Sequence, residues 1–386
     1  MDEKKQLELY LHIPFCEKKC SYCDFLSAPA DEDMKHKYIL ALQQEIRRQG
    51  EVYSDYSVPS VFIGGGTPSV FAGNVISELM KTLQNSFSIE PEAEITIECN
   101  PGTLNREKAI HYKAAGINRV SLGLQSARAD ELHLLGRIHT YPQFLESYDI
   151  LRKAGFDNLN VDLMSGLPGQ NLLHWKDTLK KVTALKPEHI SAYSLIIEKG
   201  TPFYEQFSED EVRRAAGETP QLLPSEEEER AMYEFTRDFL KEHGYLQYEI
   251  SNYARPGREC RHNIGYWRRT NYLGLGLGSA SLVENRRFSN TRKLSEYLTG
   301  CGAMQDYQQL SRQEQMEEFM FLGLRMLSGV SLKEFSETFG IALDGVYGSE
   351  VEQLCRQGLL RKREGHLSLT ADGISISNYV MSFFIK

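Results

Sequence analysis

Residues 9–25 read LYLHIPFCEKKCSYCDF and place three cysteines, Cys16, Cys20 and Cys23, directly after a short apolar run. Three residues separate the first two cysteines, and two residues separate the last two. Cuboidal iron-sulfur clusters are held by cysteine thiolates, normally four, so three thiolates without a fourth nearby leave one iron free for another ligand. The spacing therefore predicts a cluster with an open iron, which indicates chemistry at this site.

Two structural interpretations compete with the cluster, namely a zinc knuckle and three unrelated core cysteines. Zinc sites usually draw on two separated pairs of ligands, and no further C-x-x-C or H-x-x-x-H pattern follows in the chain. The cluster is therefore preferred. Widely spaced cysteines outside the motif indicate free thiols in a reducing cytosol rather than a disulfide framework. These are Cys99, Cys260, Cys301 and Cys355.

Length and composition bound the class of protein. The 386 residues are enough for about two or three domains, and 41% hydrophobic with 25% charged residues is ordinary for a globular protein. A net charge of -9 argues against nucleic acid as a partner and against general affinity for anionic membranes. No apolar run of ~18 residues is present, so we expect a cytoplasmic protein without a transmembrane segment; peripheral membrane contact stays open.

Strands and helices alternate along the first 197 residues, which favours a parallel sheet curled into a full or partial barrel. The predicted strands are 7–13, 60–63, 94–99, 119–124, 158–164 and 189–195, and predicted helices include 33–48, 74–84, 106–115 and 174–185. The fold class predicted is α/β, a partial (βα)6 TIM-like barrel. In such barrels function gathers at the C-terminal ends of the strands, and the cysteines follow the first strand.

Polar residues and glycines stand at the ends of the later strands. Residues 64–67, Gly-Gly-Gly-Thr, follow the second strand, where a glycine backbone can approach a ligand closely. Glu98 ends the third strand, Gln125 the fourth, and Asp162 lies in the fifth. Each alone is compatible with a structural hydrogen bond, but polar groups are costly to bury without partners, so together they indicate one site.

Further motifs extend the pattern along the chain. They are FIGGGTPS at 62–69, IECNP at 97–101, SLGLQS at 121–126, GRIHT at 136–140 and NVDLMSGLPGQ at 160–170. Together with the cysteine segment they resemble the HemN/HemW family of radical S-adenosylmethionine (SAM) proteins, the group related to oxygen-independent coproporphyrinogen III oxidase. The match runs in order through essentially the whole chain. The resemblance implies a radical SAM barrel with two cofactors, a 4Fe-4S cluster and SAM.

The same resemblance assigns roles to individual residues. It implies that Cys16, Cys20 and Cys23 ligate the cluster and that the amino and carboxylate groups of SAM chelate the open iron. An electron donor for the cluster is then a required partner. By this resemblance the residues that contact SAM are Tyr10, Tyr22, Gly65, Gly66, Thr67, Glu98, Gln125, Arg137 and Asp162. The forked donors of Arg137 suit a carboxylate, and the acidic groups suit ammonium or ribose hydroxyls.

Two features place the chain within this family. The oxidases resemble C-x-x-x-C-x-x-C-x-C, and the position of their fourth cysteine is Phe25 here. His262, Asn263, Tyr266 and Trp267 match the H-N-x-x-Y-W motif of the family's haem-chaperone branch. Imidazole can ligate haem iron, and the aromatic rings offer flat apolar faces to a porphyrin. The alternative is a structural turn in which Asn263 caps backbone groups while Tyr266 and Trp267 fill the core.

The chain changes character beyond the barrel. Ser225 and Glu228 form a capping-box pattern that opens a helix continuing to about 242, and similar patterns stand at 331/334 and 349/352, before a hairpin at 364–365. This region resembles a winged helix, yet its second helix is acidic, which disfavours DNA. We therefore expect three domains: 1–207, the barrel; 208–312, an α/β extension with the H-N-x-x-Y-W motif; and 313–386, a winged-helix-like tail.

The sequence favours a haem chaperone, with haem as cargo and a haem-accepting, respiratory enzyme as partner. The resemblance also implies a radical SAM centre that is competent for reductive SAM cleavage. The alternatives are a coproporphyrinogen III oxidase that decarboxylates propionates and a haem-responsive DNA-binding regulator. A monomer and a homodimer are both compatible with the sequence.

Overall fold

The computed structural model describes residues 5–300 and 305–386, which form one large sheet flanked by helices and a smaller C-terminal domain. The strands are β1 Lys5–Gln6, β2 Glu8–Ile13, β3 Tyr56–Gly65, β4 Ser88–Cys99, β5 Arg119–Gln125, β6 Leu159–Ser165, β7 His189–Ser194, β8 Leu246–Glu249, β9 Asn252–Ala254, β10 Tyr272–Leu275, β11 Ala280–Val283, β12 Arg286–Ser289, β13 Gln305–Gln309, β14 Val330–Ser331, β15 Leu360–Arg363 and β16 His366–Leu369. The helices are α1 Glu32–Val52, α2 Gly73–Ser86, α3 Arg106–Ala114, α4 Ala129–Leu134, α5 Tyr141–Lys153, α6 Leu172–Ala184, α7 Pro202–Ala215, α8 Glu226–Glu242, α9 Arg261–Trp267, α10 Leu294–Leu298, α11 Arg312–Gly323, α12 Leu332–Phe339, α13 Asp344–Arg356, α14 Ala371–Ser375 and α15 Ser377–Ser382.

The centre of the large sheet is parallel, as the alternation of strands and helices predicts. Strands β2 to β7 pair in chain order, and all six predicted strands are present. Two further strands are parallel: β1, which pairs with β3, and β10, which comes from the region after the predicted barrel and pairs with the outer edge of β2. The sheet is open rather than closed, since antiparallel strands β9 and β8 extend one edge and β11 to β13 extend the other.

The parallel strands alternate between apolar and polar residues, because their two faces meet different surroundings. On β5, Val120, Leu122 and Leu124 are fully buried, and all three belong to the core packed under the surrounding helices. The intervening residues Arg119 and Ser121 point to the inside of the curled sheet. Period-2 alternation thus gives each strand one face that packs the core and one face that lines the interior.

The predicted boundary at residue 208 does not coincide with a break in the sheet or in the core. Side chains from both sides of it, including Met232, Leu240 and Leu275, pack in one hydrophobic cluster with β2 to β7. Helix α8 begins at the capping box predicted from Ser225 and Glu228, and both reciprocal hydrogen bonds are formed. The extension therefore completes the edges of the same sheet.

The C-terminal residues have a separate hydrophobic core built from α11 to α15 and a three-stranded sheet. Ser331 caps α12 as predicted, and the hairpin turns at Glu364 and Gly365, both at positive φ. The capping box predicted at Ser349 is not formed: α13 begins at Asp344 and is kinked at Tyr347, where φ is -124° and ψ is 18°, and the Ser349 hydroxyl donates to Glu350. A Ser-x-x-Glu pattern in the sequence does not by itself establish that a helix begins at the serine.

Ion pairs fasten this domain to the barrel. Glu318 of α11 contacts Arg269 at 2.9 Å and Arg287 at 2.7 Å. The guanidinium of Arg325 lies 4.3 Å from the ring centroid of Trp267. Glu318 of the tail is thus paired with two arginines of the large-sheet domain, whereas Glu350 of α13 pairs with Lys386 within the tail. Within the described ranges, no helix has the length and apolar character needed to span a membrane.

Candidate functional site

A cavity of ≈ 560 Å³ opens at the C-terminal ends of the parallel strands. The structure brings the three motif cysteines and most of the predicted SAM residues to its wall. The members that line it are Cys16, Cys20, Cys23, Tyr22, Gly65, Gly66, Thr67, Glu98, Gln125, Arg137 and Asp162. Tyr10 is the exception: its hydroxyl lies 3.1 Å from Nδ1 of His12, behind the cavity wall. Because the C-terminal ends of parallel strands lie side by side, residues that are far apart in sequence meet at this cavity.

The glycine-rich turn after β3 holds the cysteine loop in place. The amide of Gly66 donates to the carbonyl of Ile13 at 2.7 Å, and the amide of Thr67 donates to the carbonyl of Phe15 at 2.7 Å. A Cβ on Gly66 would lie 2.5 Å from the Phe15 oxygen, so only glycine permits this approach. Because these amides are occupied, the turn can offer a ligand its carbonyl oxygens, which suit an ammonium group.

The donor set of the loop fits an iron-sulfur cluster better than a single metal ion. In the part of the chain that the structure describes, no three His, Cys, Asp or Glu side chains converge on one ion position. A cuboidal cluster places each thiolate on a different iron, so it does not need such convergence. Burial raises the pKa of the Cys16 and Cys23 thiols, and the nearby Lys19 ammonium opposes this shift. The lysine therefore favours thiolates that are ready to bind metal.

The remaining cysteines stay apart from this loop. Cys99, Cys260 and Cys355 are free thiols in the structure. Cys301 lies outside the described residues. Cys99 follows Glu98 at the cavity wall, and burial raises the pKa of its thiol to about 12, so this thiol stays protonated at neutral pH.

Arg137 brings a guanidinium group close to Cys20. Its Nη2 donates to Oδ1 of Asn100 at 2.7 Å and to the carbonyl of Gly123 at 2.6 Å, while Nη1 lies 3.6 Å from Sγ of Cys20. Its Nε is buried without a hydrogen-bond partner among the described residues. Asn100 also donates to Thr67, so it couples the arginine to the glycine-rich turn. The sequence analysis missed Asn100, although it stands within the IECNP motif.

Two carboxylates face each other across the middle of the cavity. Oε2 of Glu98 accepts the amide of Gly65 at 3.0 Å. Asp162 accepts Ser121 Oγ and Asn160 Nδ2, both at 2.7 Å. Burial, reinforced by the charge of Asp162, raises the pKa of Glu98 to about 8. A cationic ligand group would relieve this repulsion and favour ionised Glu98.

Gln125 and Tyr22 complete the wall beside the cysteine loop. Gln125 ends β5 in the left-handed region, with φ 68°, and its Oε1 accepts the hydroxyl of Tyr193 at 3.0 Å. Tyr193 is a second residue that sequence reasoning missed; its position on the inner face of β7 follows from the period of 2. The ring of Tyr22 packs 6.4 Å from that of Phe203.

The H-N-x-x-Y-W segment lies at the opposite end of the sheet interior. It forms helix α9 rather than the turn considered as its structural alternative. His262 is 1% exposed; its Nδ1 lies 2.9 Å from Ser60 Oγ, and its Nε2 lies 3.0 Å from the Tyr266 hydroxyl. Burial lowers the pKa of this imidazole to about 3. Of the four predicted haem residues, only Asn263 reaches the cavity.

Comparison with known proteins agrees with this architecture. Residues 10–182 match the Radical SAM superfamily and residues 310–376 match the HemN C-terminal domain. The chain is 36% identical to the heme chaperone HemW of Bacillus subtilis, over 97% of this chain and 98% of the relative. It is 31% identical to the heme chaperone HemW of Escherichia coli, over 98% of each chain.

A solved structure shares the fold over the whole chain. Coproporphyrinogen III oxidase (HemN) from Escherichia coli superimposes with a TM-score of 0.85 at 24% identity, covering 100% of this chain and 91% of the oxidase. The superfamily match gives this chain a 4Fe-4S cluster and SAM as cofactors. On these full-length similarities, the chain belongs to the HemN/HemW family of radical SAM proteins.

Proposed function

We propose that this protein binds haem and delivers it to haem-requiring respiratory enzymes, and that it carries a cluster and SAM at the strand-end cavity. One observation carries the proposal. The similarity to relatives named heme chaperone HemW extends over 97% of this chain and 98% of the relative, so it includes the C-terminal domain and the H-N-x-x-Y-W helix. A haem-accepting protein and an electron donor are the partners that this function requires.

Within this proposal, different residues of the cavity bind the cluster and SAM. Cys16, Cys20 and Cys23 bind the cluster, which when bound supplies the electron for reductive cleavage of SAM. The unused Nε of Arg137 lies beside the cysteine loop and suits the SAM carboxylate. Glu98 accepts the ammonium group together with the carbonyls of the glycine-rich turn.

Phe25 supports the chaperone over the oxidase. It occupies the position that is cysteine in the oxidases, lines the cavity and is 59% exposed. A phenyl ring can neither ligate a cluster nor donate a proton or an electron. An exposed aromatic residue at a cavity mouth instead offers apolar contact area to a flat ligand.

The proposed haem ligand is Nε2 of His262, with Tyr266 and Trp267 beside the porphyrin. The hydrogen bond between Nε2 and the Tyr266 hydroxyl has to break before iron can bind, so haem loading requires α9 to rearrange. The low pKa of His262 favours this chemistry, because a neutral imidazole is the form that ligates iron.

The deciding experiment combines two assays on the anaerobically reconstituted protein. We expect haem titration to give a saturable Soret change, and we expect coproporphyrinogen III with SAM and a reductant to release no carbon dioxide. An authentic coproporphyrinogen III oxidase serves as the positive control for turnover. Robust decarboxylation, or the absence of saturable haem binding, would overturn the proposal.

A Phe25→Cys variant sharpens the comparison with the oxidases. Because this change restores only the cysteine pattern, we expect it to leave haem binding intact and to produce no decarboxylation. Turnover in the variant but not in the parent would show that this position alone separates the two activities.

A further inference from the structure

Arg119 is a buried cation at the floor of the cavity that no motif of the sequence singles out. It begins β5 and lies on the same strand face as Ser121, Gly123 and Gln125, all of which line the cavity. Its exposure is 1%. Across the described ranges its guanidinium makes no hydrogen bond or ion pair, and its Nε is buried without a partner. Such a charge is costly to bury unless a ligand pairs with it.

The two carboxylates nearest to Arg119 in charge interaction, Glu94 and Asp162, accept hydrogen bonds from other groups. Glu94 accepts Cys260 Sγ at 3.4 Å, the Arg261 amide at 3.2 Å and the His262 amide at 3.3 Å. Asp162 is held by Ser121 and Asn160. Both contribute to the field at the guanidinium, but neither lies within 4.0 Å of its nitrogens. The guanidinium nitrogens of Arg119 are therefore available to donate hydrogen bonds to a ligand.

The floor around Arg119 also contains polar, uncharged side chains. Ser191 comes from β7, Asn252 from β9 and Asn263 from α9. Asn252 holds Glu249 through Nδ2, but its Oδ1 has no partner in the described structure. The side-chain amide of Asn263 makes no hydrogen bond to any described residue and opens into the cavity. Arg119 and the side-chain amide of Asn263 therefore both line the cavity, and both have hydrogen-bond donors without a partner among the described residues.

We propose that Arg119 and Asn263 bind the carboxylate of a second ligand, one other than SAM, at the floor of the cavity. A guanidinium fork matches a carboxylate in two parallel hydrogen bonds, and the amide can donate a third. Arg119 stands six residues before Gln125, or about 20 Å of extended strand. Under the proposed function, the only carboxylate of SAM is held at the cysteine end, so it does not occupy the floor. The ligand is then a molecule that shares the cavity with SAM.

The test uses the full-length reconstituted protein and the smallest probe with this chemistry, propionate, with propionamide as its neutral isostere. We expect propionate to bind the parent, detected by ligand-observed NMR, and propionamide not to bind. Arg119→Gln should weaken propionate binding roughly tenfold to a hundredfold, the range for charge-assisted hydrogen bonds. Arg230→Gln is the matched control, because Arg230 is exposed on α8, and it should bind as the parent does.

A second variant keeps the test valid if Arg119→Gln unfolds. Arg119→Lys retains the charge beside Glu94 but loses the fork, so we expect it to fold and to bind propionate about tenfold more weakly. Thermal unfolding is measured for each variant. Equal binding of propionate by the parent and Arg119→Gln, or no binding by the parent, would overturn the proposal.

Competition identifies the source of the carboxylate. SAM should not displace propionate; displacement would place the carboxylate subsite within the SAM site and overturn the inference. If haem displaces propionate and haem dimethyl ester does not, a haem propionate is the native group. If neither displaces it, the native ligand is a separate small carboxylic acid. Direct haem titration is scored separately, so failure of the proposed function and failure of this subsite are distinguishable.

Discussion

The two ends of the sheet interior contain similar residues but differ in what those residues have left to bind. At the cysteine end, Glu98 and Arg137 line an open cavity, and Arg137 keeps an unpaired donor. At the α9 end, Glu8 and His262 are enclosed, and both nitrogens of His262 already have partners. Burial raises the pKa of both glutamates to about 8.

This difference shows that burial and shifted pKa values alone do not mark a ligand site. Both ends are polar, and both contain sequence motifs of the family. The cysteine end combines access with unused hydrogen-bonding capacity, which a ligand can satisfy. The α9 end is internally satisfied around His262, so a ligand there has to displace existing contacts.

The largest expected effect is at the cysteine loop. Cys20→Ala should reduce the iron and sulfide content of the reconstituted protein to background, because each thiolate holds a separate iron. Cys355→Ala is the control, since Cys355 is a half-buried free thiol in the C-terminal domain. Iron and sulfide analysis measures both. Retention of a complete cluster by Cys20→Ala would contradict the assignment of the cysteine end as the cofactor site.

The next effect concerns the turn that supports this loop. Gly65 has φ 106°, and a Cβ there would lie 2.4 Å from Nδ1 of His12. We expect Gly65→Ala to lower the free energy of unfolding by about 3 kcal/mol or more, through left-handed strain and steric overlap. Gly217→Ala has similar strain, φ 74°, but meets nothing within 4 Å, so a loss of roughly 1–2 kcal/mol is expected. Equal losses in urea unfolding would show that the turn tolerates a side chain.

A histidine pair tests whether the α9 end binds haem. His262→Ala and His189→Ala each remove a buried imidazole with two hydrogen-bonded nitrogens. Each should cost about 2–4 kcal/mol of unfolding free energy, measured by thermal denaturation. Only His262→Ala should change the Soret spectrum of the haem complex. Identical spectra for the two variants would show that His262 has a structural role in α9 and that the haem ligand lies elsewhere.

The most gradual effect, small at any single pH step, is the pH dependence of the two glutamates. Between 4.5 and about 8 the folded state keeps a proton that the unfolded state releases, so each group makes stability fall as pH rises, by about 1 kcal/mol per pH unit. Glu8→Gln and Glu98→Gln should therefore gain stability relative to the parent from pH 5.5 to 8.

SAM affinity separates the two glutamates. Glu98→Gln should weaken SAM binding, because the ammonium loses its carboxylate, whereas Glu8→Gln should leave it unchanged. Thermal scans across pH, with calorimetric titration of SAM, measure both properties. A weaker SAM affinity in Glu8→Gln would contradict the separation of the two ends.

Much of the fold was predictable because it depends on local patterns. Period-2 apolar residues gave the six parallel strands, and helix-length segments between them gave the crossovers. The capping box at Ser225 predicted the start of α8, whereas the same pattern at Ser349 forms no capping box, because Ser349 lies within α13. Strand β10 escaped prediction, because four residues beside a distant partner carry too little local signal.

For the site, the sequence by itself determined the chemistry of the donor set. Three thiolates, a glycine-rich turn and charged residues at strand ends are fixed by residue type and position along each strand. Only the tertiary structure decided which groups stay unpaired. It gave Nδ1 of His262 a partner, Ser60, that lies 202 residues away, left Nε of Arg119 without a partner and brought Asn263 to the wall of the same cavity. Hydrogen-bond satisfaction depends on neighbours brought together from distant segments, and no local pattern contains that information.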